Sequence, residues 1–93
     1  MALLEDFKAL EDSGKRGDWC FINDDTYICV MWGDDPFKNT SILPIKPVEG
    51  KASWNWNGDR AAPSLTPSIL VHPYPGWTDG WHGYLTDGKL ITV

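Results

Sequence analysis

The sequence predicts a mainly β domain of the α+β class. One N-terminal helix precedes about six short antiparallel strands that form a small sandwich or open roll. Three observations carry this. Apolar residues recur at helical spacing only in the first dozen positions. Beyond Gly17 the pattern turns to short runs rich in β-branched and aromatic residues. Clusters of Asn, Asp, Gly and Pro then interrupt the chain every few residues.

Leu3, Leu4, Phe7 and Leu10 lie on one side of a helix over residues 2–12, with Glu5, Asp6, Lys8, Glu11 and Asp12 opposite. Ser13-Gly14 stops it, because glycine takes the left-handed conformation that a helix end favours. Three turns are not stable alone, so the helix docks on its own sheet or on a second copy. A symmetric homo-oligomer with Leu3, Leu4, Phe7 and Leu10 at the contact is the expectation.

The β part spans residues 18–93, and the whole chain is read as a single domain, 1–93. Trp19–Ile22 and Thr26–Trp32 are strands joined by the turn residues Asn23-Asp24-Asp25. Gly33-Asp34-Asp35-Pro36 is a break, and the prolines beside Ile42–Ile45 make that piece an edge strand or ordered loop. Ser53–Asn57 alternates with Trp54 and Trp56 on one face, and Gly58-Asp59 turns the chain, which requires a positive φ at Gly58. Pro63–Val71 is extended because each proline disfavours helix in its predecessor. Residues 73–80 form a rigid loop, and Trp81–Leu85 and Lys89–Val93 are strands joined by Thr86-Asp87-Gly88.

Composition narrows the function. A domain of this size buries only roughly 60–65% of its unfolded surface, so an oligomer, or heavy aromatic packing from residues such as its six tryptophans, would help it. A net charge of −5 without a basic run argues against binding duplex nucleic acid, whose affinity comes from neutralised phosphates. No apolar run reaches the roughly 20 residues a membrane helix requires. The acidic N-terminus is unlike a secretory signal, so a cytoplasmic location, that of a host cell, is expected. Cys20 and Cys29 flank the first hairpin and are expected as free thiols.

Trp54, Trp56, Trp77 and Trp81 fall near Tyr74, Tyr84, His72 and His82 in the chain. Aromatic planes with polar neighbours suit planar ligands such as bases, and equally suit a small core. Trp54, Trp56, Arg60, Trp77, Trp81, His82 and Tyr84 are the candidate ligand-binding residues, with Lys51 and Lys89 further cations for a phosphate. His82 is either a binding residue facing Trp54 or Trp56, or an imidazole bonded to backbone. His72 and His82 lack the spacing and partners of a zinc site, so no metal and no cofactor are expected. Asp24, Asp25, Asp34 and Asp35 read as turn residues. Gly-x-Ser-x-Gly is absent, as are the phosphate-cradling glycine loops, and no catalytic set is evident.

From Trp54 on, the chain resembles a family of small phage and prophage proteins of no settled function. The resemblance rests on three ordered blocks: Trp54-Asn55-Trp56-Asn57-Gly58, Pro63-Ser64-Leu65-Thr66-Pro67-Ser68-Ile69, and His82 through Asp87-Gly88-Lys89-Leu90. Trp81 and Gly83 stand where that family commonly has Cys and Ser. The resemblance implies a phage accessory protein. The expected function is therefore non-catalytic binding, as counter-defence that sequesters a nucleotide-derived immune signal. An inhibitor of a host enzyme or DNA-binding protein, a metal-dependent hydrolase and a minor virion or assembly protein are the alternatives. The expected partners are a nucleotide-like small molecule or a host protein, with no membrane.

Overall fold

The computed structural model describes residues 1–93. One short helix, α1 (Phe7–Ser13), precedes eight strands: β1 (Trp19–Ile22), β2 (Tyr27–Met31), β3 (Thr40–Pro44), β4 (Asn55–Trp56), β5 (Leu65–Thr66), β6 (Ile69–Val71), β7 (Trp81–Thr86) and β8 (Lys89–Thr92). They form three antiparallel sheets, ordered β1-β2-β3, β4-β5 and β6-β7-β8. The expected mainly β, α+β class is the one observed. No helix is long and apolar enough to cross a membrane.

The helix starts later than its apolar spacing predicts. Asp6 is its N-cap, and the Asp6 carboxylate accepts the Ala9 N–H at 2.8 Å. Residues 2–4 run beside β1 instead, where the Trp19 N–H donates to the Ala2 carbonyl (3.1 Å) and the Leu4 N–H to the Trp19 carbonyl (2.8 Å). The edge of β1 offers these amides partners that a frayed helical turn does not.

Sheet β1-β2-β3 is the middle layer, which explains why β1 and β2 are buried on both faces. One face packs Cys20, Cys29 and Met31 against Leu10, Leu4 and Phe7 of the N-terminal segment. The helix therefore docks on its own sheet. Leu10 is 0% exposed and presents nothing to a second copy, which corrects its placement at an oligomer contact. The other face carries Trp19, Phe21, Ile28, Val30 and Leu43, which pack with Leu65, Ile69 and Leu85 of the two smaller sheets. Cys20 and Cys29 are register partners and both thiols are free. The hydrogen bond that the Cys29 thiol donates to Cys20, and then burial, pushes the Cys29 thiol far up, so it keeps its proton and serves as core filling.

The turns follow the residues that favour them. Asn23, Asp24 and Asp25 all take positive φ between β1 and β2, as do Asp87 and Gly88 between β7 and β8. Asn57 organises the β4–β5 connection. Its carbonyl oxygen accepts from the amides of Asp59 (3.2 Å) and Ser64 (3.0 Å), and its amide donates to the Ala62 carbonyl (3.2 Å).

Gly58 has φ +82°, and a Cβ placed there would meet nothing within 4 Å. Gly58→Val therefore tests backbone strain without a clash. Denaturant unfolding is expected to show a loss of at least about 1 kcal/mol, and an unshifted midpoint would contradict the turn.

Candidate active site

β6 and β7 bring together two residues that lie 14 positions apart in the chain. Ile69 pairs with Gly83, Leu70 with His82 and Val71 with Trp81. Ile69, Gly83 and Leu85 are buried, so the alternate residues Leu70, His82 and Tyr84 face outward. Ser68 stands just before β6, one register step from Ile69, and shares that outward face. Its hydroxyl Oγ lies 3.1 Å from His82 Nε2.

Both residues are reachable from solvent: His82 is exposed and Ser68 half-buried. The Trp54 indole N–H reaches the Ser68 carbonyl at 3.4 Å, which ties the serine's backbone to β4. The Ser68 main-chain N–H has no acceptor within the protein. No carboxylate forms an ion pair with His82, so the arrangement is a Ser–His pair without a third charged member.

Of the other sequence candidates, Tyr84 shares the outward face with this pair and Trp54 reaches the Ser68 carbonyl, while the rest lie elsewhere. Trp54 and Trp56 pack onto the core, and the Trp56 ring lies 5.2 Å from that of Phe21. Arg60 is ion-paired with Asp25 and covers the Phe21 ring at 4.4 Å. Trp81 stacks on Trp32 at 6.4 Å and donates its indole N–H to Thr92. Trp77 lies in the Tyr74–Thr78 loop under the Lys38 ammonium, lining an open cleft of about 640 Å³. A second cleft of about 490 Å³ runs past Trp32 and Trp81. Neither cleft is lined by Ser68, His82, Tyr84 or Arg60. Lys51 lies over the Tyr27 ring, and His72 is exposed in the loop after β6. No group of three or more metal-ligating side chains gathers anywhere.

Ser68 is the residue that sequence reasoning missed. A nucleophile was sought on a glycine-flanked strand-to-helix elbow, whereas Ser68 sits at the start of a strand. The available signal was a serine entering one extended segment and a histidine in the next, at positions that antiparallel pairing makes neighbours.

A serine hydroxyl within hydrogen-bond reach of an imidazole nitrogen, open to solvent, is the nucleophile–base pairing of serine hydrolases. Residues 8–93 match the family described as bacterial ubiquitination-like system serine protease (BubE), and the chain belongs to that family. No curated protein and no solved structure matches it. The family overturns the expectation of a non-enzymatic phage counter-defence protein that binds a nucleotide signal. The tryptophans of this chain serve the core and separate clefts, away from the outward face that carries Ser68 and His82.

Proposed function

We propose that this chain is a serine peptidase, with Ser68 as nucleophile and His82 as general base and acid. Its substrate is an amide bond on a polypeptide of a bacterial ubiquitination-like system. The observation that carries the reading is the 3.1 Å contact between Ser68 Oγ and His82 Nε2 on an exposed sheet face. Membership of a serine protease family supports it.

In the first step Ser68 Oγ attacks the carbonyl carbon while His82 Nε2 takes the hydroxyl proton. The carbonyl π pair moves onto oxygen to give a tetrahedral oxyanion. Collapse breaks the C–N bond, and His82 returns its proton to the departing amine. Water then attacks the acyl ester with His82 as base. The carboxylate product leaves and Ser68 regains its proton.

The test is covalent labelling with a small phosphonofluoridate. Mass spectrometry is expected to find one adduct, on the peptide containing Ser68. An unlabelled protein, or an adduct elsewhere, would sink the assignment.

A further inference from the structure

An antiparallel sheet with one face in solvent ordinarily presents polar residues there. The outward face of β6-β7-β8 carries Ser68, His82, Thr86 and Lys89, but between them it exposes three large apolar side chains. Leu70 is 55% exposed, Tyr84 41% and Ile91 50%. Their positions are tied to the Ser–His pair by register. Leu70 is directly opposite His82, and Tyr84 is two residues along the same strand face and opposite Ile91. Continuing the β6–β7 register by one step sets Ser68 against Tyr84. The nucleophile and its base are thus set within exposed apolar side chains, and contiguous exposed apolar surface marks a recognition site.

We infer that Leu70, Tyr84 and Ile91 form the specificity surface of the peptidase, resting on the function proposed above. The occupant is an extended polypeptide segment carrying a large apolar side chain next to the scissile bond. Two observations favour an extended segment over a side chain gripped in a deep pocket. Neither cleft of the molecule is lined by Ser68 or His82, so the substrate must lie on the open sheet face. β6 is an edge strand of its sheet, and an open sheet edge beside Ser68 accepts an extended segment whose alternate side chains meet the outward face.

The experiment compares the full chain with Leu70→Asp, Leu70→Arg and Tyr84→Ser on internally quenched peptides. These carry Leu or Asp on either side of the cleaved bond. The native chain is expected to prefer Leu. Leu70→Asp and Tyr84→Ser are expected to lower kcat/KM for the Leu peptide by about 10- to 200-fold, the range that apolar side-chain recognition supplies. Leu70→Arg is expected to raise cleavage of the Asp peptide. All three variants should still form the Ser68 adduct, because that small probe does not need the surface; the adduct and not its rate is compared, since a charge at position 70 lies directly opposite His82.

Unchanged kcat/KM in the variants with labelling intact would overturn the inference and leave the Ser–His assignment standing. Loss of labelling in the Leu70 variants would overturn it too, since Leu70 would then be positioning His82. Sedimentation showing that Leu70→Asp splits a dimer without changing cleavage would assign the face to a second copy instead. A native chain that never labels at Ser68 removes both readings together.

Discussion

Ser68→Ala and His82→Gln are each expected to reduce turnover by about a thousandfold or more, with the double variant little worse than either alone. Residues that act as one unit in acyl transfer show that non-additivity, because neither works without the other. Ser68 is half-buried and His82 exposed, and their mutual bond is at the surface. Both variants are therefore expected to unfold within about 1 kcal/mol of the native chain. The measurements are single-turnover cleavage beside denaturant unfolding. Native turnover in either single variant would exclude the pair. Unfolding of His82→Gln would make the imidazole a structural group.

Trp19→Ala carries the largest expected loss of stability, about 3–5 kcal/mol. Trp19 is 3% exposed at the centre of the main core cluster, and its indole N–H donates to the Arg60 carbonyl at 3.0 Å. The substitution leaves a cavity between layers and frees the segment that follows β4. A domain of this length has only about 5–15 kcal/mol of total stability, so the loss is a large part of it. Trp19→Phe keeps most of the ring and removes the donor, and is expected to cost nearer 1 kcal/mol. Chemical unfolding measures both, and a loss below 1 kcal/mol for Trp19→Ala would show that the layers do not depend on this side chain.

The parts of the fold that local chemistry controls were legible in the sequence. The β1–β2 hairpin follows from Trp19–Ile22, the Asn23-Asp24-Asp25 turn and the run after it, and Asp87-Gly88 marks the last hairpin. Gly58 has the positive φ its turn requires. What local pattern cannot weigh is competition from distant backbone. Residues 2–4 have helical spacing but pair with Trp19, and Pro67-Ser68 divides the extended segment 63–71 between two sheets. His82 stood out in the sequence for its chemistry. Ser68 did not, because a lone serine has no distinguishing neighbour until pairing brings the histidine to it. The tryptophans are dispersed for a related reason: Trp54, Trp77 and Trp81 fall in one half of the chain, yet the fold places them at the core and at two clefts.

The Ser–His pair is indexed by a ladder of backbone hydrogen bonds and not by a loop. Ser68 and His82 stay aligned as long as Ile69 faces Gly83 and Leu70 faces His82. A slip of one residue in that ladder would turn His82 inward and bring Gly83, which has no side chain, to the surface. With Ser68 and His82 as the proposed pair, catalytic competence would be a property of strand alignment. The connecting segment is held at Gly80, where φ is +77° and a Cβ would meet the Val71 carbonyl, and the three paired residues of β6 have almost no freedom.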